Sequence, residues 1–167
     1  MSVELVLIRH AIAFERNPLR WADDRLRPLT PAGKERFRKA AAGLAEWLPE
    51  VDRVLTSPLV RARETAQILA EHARWPAPVE CQQLAPPSDP EAVFAALRKQ
   101  RGKRFALVGH EPDLSTLVAV CLQGSPSARS FELKKGSVVC LRFESRASAG
   151  TGVLAAFLPP RVLRAMR

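Results

Sequence analysis

Arg9 and His10 place a fixed cation directly beside a side chain that can serve as nucleophile or base, and they stand where the apolar run Leu5-Val6-Leu7-Ile8 stops. Alone, the pair also fits a plain strand end where solvent begins. Two further junctions repeat the pattern. Phe105-Ala106-Leu107-Val108 stops at Gly109-His110-Glu111-Pro112, and Arg61 lies just past Ser57-Pro58, which follows a segment centred on Val54 and Leu55. Two arginines and two histidines, with no Ser or Cys nucleophile motif, describe a pocket for a phosphoryl group. One imidazole nitrogen would attack phosphorus while the other groups neutralise the equatorial oxygens.

These residues converge only if the elements carrying them are parallel neighbours. Unbroken Leu/Val/Ile runs suit strands buried on both faces, and open α/β sheets hold ligands beyond the carboxyl ends of their strands. Right-handed crossovers would bring the three junctions to one side. The helices between them are signalled locally. Thr30 is a good N-cap with Pro31 at the first helical position, and Phe37, Ala40, Ala41, Leu44, Ala45 and Leu48 repeat on one face before Pro49. Residues 51–56 form the second strand. Ser57-Pro58 reads as another cap-and-proline start, with Leu59, Ala62, Ala66, Leu69, Ala70 and Ala73 as the inner face. Arg61 then sits in a first turn whose N–H groups already favour an anion, and its planar fork suits phosphate. Arg63 points about 200° away from it, as a surface residue paired locally with Gln67 or Glu64. His72 is an ordinary surface histidine.

Residues 75–90 are proline-rich and irregular, with a brief strand over 79–81. Asp89-Pro90 opens a third helix with Val93, Phe94 and Leu97 inward, and 98–104 form its basic, solvated end. Gly109 permits close approach of backbone to a ligand. Leu114, Leu117, Val118 and Cys121 form the inner face of the helix after Pro112. Residues 138–143 and 153–158 read as an edge hairpin, and the basic tail 159–167 as frayed chain or a short helix. The loop 11–29 is long enough to be functional, and Arg27, abutting the helix start, is the residue in it that could close over an anion.

The 167 residues fit one domain, 1–167, and 47% hydrophobic with 26% charged residues marks a globular chain. No apolar run approaches the roughly 20 residues needed to span a bilayer, and the N-terminus lacks a signal peptide's basic start. Cys81, Cys121 and Cys140 are widely spaced, without zinc spacing, and read as buried free thiols. A cytoplasmic protein without metal or cofactor is expected. The formal net charge of +9 favours anionic partners. The basic residues are spread along the chain without a long basic run or a Gly/aromatic signature, so nucleic acid is not the expected partner.

Leu7-Ile8-Arg9-His10-Ala11 resembles the Arg-His-Gly signature of the histidine phosphatase superfamily, which includes the cofactor-dependent phosphoglycerate mutases. The segment 27–33, Arg-Pro-Leu-Thr-Pro-Ala-Gly, resembles its Pro-Leu-Thr-x-x-Gly segment. Residues 57–66 are similar to its Ser-x-x-x-Arg-Ala-x-x-Thr-Ala segment, and Val108-Gly109-His110-Glu111 to its second-histidine segment. The four segments keep the family's order over about two-thirds of the chain, and the spelling is most similar to the SixA-type phosphohistidine phosphatases.

The resemblance implies a three-layer α/β/α sandwich with a mostly parallel central sheet, and a covalent phosphohistidine intermediate on His10. Arg9, Arg61 and His110 would hold the phosphoryl group, with Arg27 as a further phosphate-binding candidate. A backbone carbonyl would accept from the other nitrogen of His10 and fix its tautomer. The implied substrate is a histidine-phosphorylated protein domain; a small phosphorylated metabolite is the alternative, and a non-catalytic phosphate- or nucleic-acid-binding module the reading from a different class. Two departures stand out. Ala11 replaces the usual glycine, tolerable if its φ stays negative. Leu84-Ala85-Pro86-Pro87 lacks the glutamate that larger members use as general acid; Glu80 and Asp89 flank the place, and neither is assigned that role.

Overall fold

The computed structural model describes residues 2–128, 130 and 132–166. The chain runs through β1 (Val3–Arg9), α1 (Pro31–Trp47), β2 (Arg53–Thr56), α2 (Val60–His72), β3 (Val79–Glu80), α3 (Pro90–Leu97), β4 (Arg104–Gly109), α4 (Asp113–Gln123), β5 (Val138–Phe143), β6 (Val153–Leu158) and α5 (Pro160–Ala165). Among the described residues the strands form one six-stranded sheet in the order β3-β2-β4-β1-β5-β6. The β3-β2-β4-β1 side is parallel, and the hairpin β5-β6 is added antiparallel at the β1 edge.

Alternation along the strands decides the layers, because successive side chains point to opposite faces. Val6, Ile8, Val54, Ala106, Val108, Val138 and Cys140 face one core with residues of α1, α2 and α5. Leu5, Leu7, Leu55, Phe105, Leu107, Val139 and Leu141 face the other, with residues of α3 and α4. With both faces covered, the central strands are apolar without a break, and the result is the three-layer α/β/α arrangement. Each such Leu or Val stabilises the fold by roughly 1.5–3 kcal/mol relative to exposure.

Local signals act as the sequence suggests at α1 and α3. Thr30 Oγ1 accepts from Gly33 N at 2.9 Å, Asp89 Oδ1 from Glu91 N at 3.2 Å, and a proline fills the first helical position in both. The tail forms α5, whose Leu163 is fully buried against Gly43 of α1, where a Cβ would lie 1.8 Å from Leu163 O; Arg167 lies outside the described residues.

Three expectations are corrected. α2 begins at Val60 with Leu59 as its cap, not at Ser57-Pro58. Ser57 N still bonds Val108 O across the sheet at 2.9 Å, so Ser57 belongs to the strand end. The stretch 98–104 is not a helix end throughout: Arg104 opens β4, and its guanidinium pairs with Glu4. Arg63 pairs with Glu80 of β3 at 3.2 Å, because Glu64 is taken by Leu29 N and Lys34. Cys81, Cys121 and Cys140 are buried and unpaired, and burial pushes the Cys121 and Cys140 thiols up to about 12. No described helix is long and apolar enough to cross a membrane.

Candidate active site

The register places three strand ends side by side. Arg9 pairs with Gly109 and Thr56 with Val108, so the residues that follow β1, β2 and β4 leave the sheet at one level. His10 N donates to Gly109 O at 3.1 Å, carrying the contact one residue beyond the strands. α1 and α2 lie on one face of the sheet and α3 and α4 on the other, so connections part there and leave the crevice expected of an open α/β sheet.

A cavity of about 370 Å³ opens at this point, walled by Arg9, His10, Arg27, Arg61 and His110 together with Phe14, Glu15, Arg16, Pro86, Glu111 and Lys135. All five candidate residues from the sequence are therefore on one wall system. The two imidazole centroids lie 5.2 Å apart, their planes inclined by 52°. His10 and His110 are buried, and both are pushed down to about 3, first by burial and then by neighbouring positive charge: the other histidine's for His10, that of Arg61 and Arg9 for His110. At neutral pH both rings are uncharged.

His10 Nδ1 lies 2.7 Å from Ala11 O, the backbone carbonyl expected to set the tautomer. With the proton on Nδ1, Nε2 keeps its lone pair. Ala11 tolerates the position: it is not among the residues with positive φ, it is 2% exposed, and its N–H donates to Thr65 Oγ1 at 3.0 Å. Thr65 in turn donates to Arg61 O at 2.7 Å, tying the His10 loop to α2.

Arg9 gives Nη1 to Leu133 O, and Arg61 gives Nη1 to Asp24 O at 2.8 Å and Nη2 to the Asp24 carboxylate at 3.2 Å. His110 Nε2 meets Ser57 Oγ at 2.8 Å. Arg9 Nε, Arg61 Nε and His110 Nδ1 are left buried without a partner among the described residues. Orphaned buried polar atoms are costly, and three on the walls of one cavity match an anion with several acceptor oxygens. Among the described residues no group of three His, Cys, Asp or Glu side chains could hold a metal ion.

Arg27 lines the cavity, but its guanidinium is occupied: Nε donates to Asp24 Oδ1 at 2.7 Å and Nη1 to Phe14 O. It clasps the loop 11–29. Gly109 packs against Leu114, whose Cδ2 a Cβ would approach to 3.2 Å. Glu80 is spent on Arg63, and Asp89 caps α3. Pro86 stands at the cavity from the segment without a glutamate. Glu111 is also on the wall, but its two oxygens accept from Ser115 N at 3.1 Å and Ser115 Oγ at 2.7 Å.

Ser57, Asp24 and Lys135 are the residues the sequence did not single out. Asp24 gathers Arg27, Arg61 and Arg16, and the hydrogen bond from Arg27 holds its carboxyl below the usual carboxylate range. Lys135 precedes β5; because β5 is antiparallel to β1, its start lies at the same edge of the sheet as the end of β1. Partial burial and the charge of Arg9 lower its ammonium pKa. The run Lys134-Lys135-Gly136 ahead of an apolar strand was the available signal.

The histidine phosphatase superfamily (branch 1) family model matches residues 5–84. The chain is 36% identical over 143 residues to an uncharacterized protein of Picosynechococcus sp., covering 84% of this chain and 85% of that one. It is 30% identical over 126 residues to the phosphohistidine phosphatase SixA of Escherichia coli (strain K12), covering 73% and 76%. A solved structure of the protein histidine phosphatase SixA complexed with tungstate superposes with a TM-score of 0.80 at 25% identity, over 96% of this chain and 99% of that one.

Proposed function

This chain belongs to the histidine phosphatase superfamily and is of the SixA type, and from that premise we propose that it removes phosphoryl groups from protein phosphohistidine through a covalent intermediate on His10. The observation that carries the reading is the set of orphaned donors, Arg9 Nε, Arg61 Nε and His110 Nδ1, gathered with a neutral His10 around one cavity. His10 Nε2 attacks phosphorus. The new N–P bond forms as the bond from phosphorus to the substrate imidazole breaks, and that imidazole leaves with the electron pair, already protonated on its other nitrogen. The positive charge that develops on His10 is shared through Nδ1–H with Ala11 O. The equatorial oxygens take hydrogen bonds from Arg9, Arg61 and His110, donors already in place before the reaction. Water then attacks phosphorus, the His10 N–P bond breaks, and phosphate departs.

The carboxylates favour this substrate class. An alkoxide leaving group needs a proton, a contribution typically worth about 10²–10⁴ in rate, whereas a protonated imidazole does not. No carboxylate comes from 84–87, Glu111 is committed to Ser115, and Glu15 is the acid on the wall that an alkoxide leaving group would have to use. The cationic walls supply the charge stabilisation a metal would give elsewhere, so the proposed reaction is metal-independent. Three buried, unpaired cysteines support a cytoplasmic location.

The test is mass spectrometry under mildly alkaline conditions after mixing the protein with a chemically phosphorylated histidine protein. A transient, acid-labile phosphate on His10, absent in His10→Ala, is the expected result. Turnover of sugar phosphates faster than of phosphohistidine would transfer the assignment to a small-molecule phosphomonoesterase, with Glu15, the other acid on the cavity wall, as its candidate proton donor.

A further inference from the structure

A second cavity of about 480 Å³ adjoins the first and shares Arg9 and Lys135 with it. Its floor is apolar, formed by Ile12, Phe37, Ala40 and Pro160, and its rim carries Arg36, Lys134 and Arg164. Among the described residues no Asp or Glu lines it. Cations without an ion pair occur elsewhere on the surface, at Arg53 and Arg98 among the described residues, but here three of them gather around one apolar cavity. Lys34, Arg38, Lys39, Arg63 and Arg104 each have a carboxylate partner, whereas Arg36, Lys134 and Arg164 make no ion pair among the described residues. The groove thus combines uncompensated positive charge with apolar surface and opens directly onto the phosphoryl pocket.

We propose that this groove binds an acidic segment of the phosphorylated protein, lying beside the phosphohistidine that enters the catalytic cavity. The inference rests on the phosphoprotein reading above and names the chemistry of the substrate around its reacting residue. Carboxylates of the segment pair with Arg36, Lys134 and Arg164, while its apolar side chains cover Ile12 and Pro160, the partly exposed part of the floor. A protein segment suits the site better than a nucleic acid, because Phe37 is 3% exposed and the described lining residues offer no open aromatic face for a base to stack on. Rim charges of this kind set encounter rate and partner choice, and their effect weakens with salt.

The experiment measures fluorescence anisotropy of two labelled peptides of equal length, one alternating Glu and Leu, the other Gln and Leu, with the wild-type protein and with Arg36→Glu, Lys134→Glu and the double variant Arg36→Glu/Arg164→Glu. Turnover of phosphoramidate is followed in parallel as a reading of fold and catalysis. The Glu peptide binds more tightly than the Gln peptide, the preference shrinks as salt rises, and the double variant weakens Glu-peptide binding by roughly tenfold with phosphoramidate turnover retained. Should the double variant lose turnover, the single exposed-residue variants decide, each expected to weaken binding by roughly threefold. Equal binding of the two peptides, or binding of the Glu peptide unchanged by charge reversal, overturns the proposal. So does displacement of the Glu peptide by an oligonucleotide of equal charge at lower concentration than by the unlabelled peptide. Failure of the catalytic reading shows differently: peptide preference stays while no phosphohistidine is hydrolysed.

Discussion

Replacing Ser57 by alanine tests whether its hydroxyl sets the protonation of His110. Ser57 is fully buried; its Oγ accepts from Leu59 N at 3.3 Å and lies 2.8 Å from His110 Nε2. With an N–H already pointing at its lone pair, the hydroxyl is free to give its proton to Nε2. His110 must then carry its own proton on Nδ1, the atom left without a partner and the one assigned to a phosphoryl oxygen. In Ser57→Ala, Nε2 is buried and unsatisfied, at a cost of about 1–3 kcal/mol. At 2–4 °C per kcal/mol for a chain of this size, the middle of that range lowers Tm by roughly 4–8 °C. Freed from Ser57, His110 divides between tautomers, and only one donates from Nδ1. Outright loss of such a donor costs about 10²–10³ in kcat, so a shifted tautomer is expected to cost roughly tenfold, with KM little changed. Phosphoramidate turnover and a thermal melt on the same preparation are the assay. A lowered Tm with kcat within about twofold of wild type would refute the tautomer argument and leave Ser57 a packing role alone. An unchanged Tm as well would refute the hydrogen-bond accounting.

Asp24→Asn removes the carboxylate that faces Arg61 and Arg27; inhibition by inorganic phosphate should tighten by roughly threefold as the pocket becomes more positive, while kcat falls because Arg61 keeps only its bond to the Asp24 backbone oxygen. Steady-state kinetics with phosphate as inhibitor check both signs together. Gly33→Ala would put a Cβ 2.1 Å from Ile12 O, a backbone atom that cannot turn aside, and should destabilise the fold by about 3 kcal/mol, read from the urea midpoint. His10 and His110 titrate near 3 in the folded protein against 6.5 when free. Between those values the unfolded chain binds protons the folded one refuses, so their contribution to stability is complete above about pH 6.5 and is lost as pH falls toward 3. Urea midpoints from pH 7 to pH 4 should decline, and His110→Asn should flatten the decline; equal slopes in the two proteins would sink the assignment.

Among the elements, the sequence alone determined those whose signals are local. Thr30-Pro31 and Asp89-Pro90 cap and start helices through side chains one to three residues away, and unbroken apolar runs mark strands covered on both faces. Arg9-His10, Arg61 and His110 were legible for the same reason: each closes a strand or opens a helix, and parallel connections bring such ends to one edge. Tertiary structure decided which atoms meet there. Ser57-Pro58 has the spelling of a helix start, yet the hydroxyl is drawn to a histidine 53 positions away once β2 and β4 pair. Arg27 stands on the cavity wall with Asp24 folded back against its Nε, and the same carboxylate reaches across to Arg61. Lys135 joins the pocket only because β5 runs antiparallel and starts where β1 ends. Partners of this kind depend on register and crossover, which no local spacing records, and they determine which nitrogens of Arg9, Arg61 and His110 remain free for a ligand.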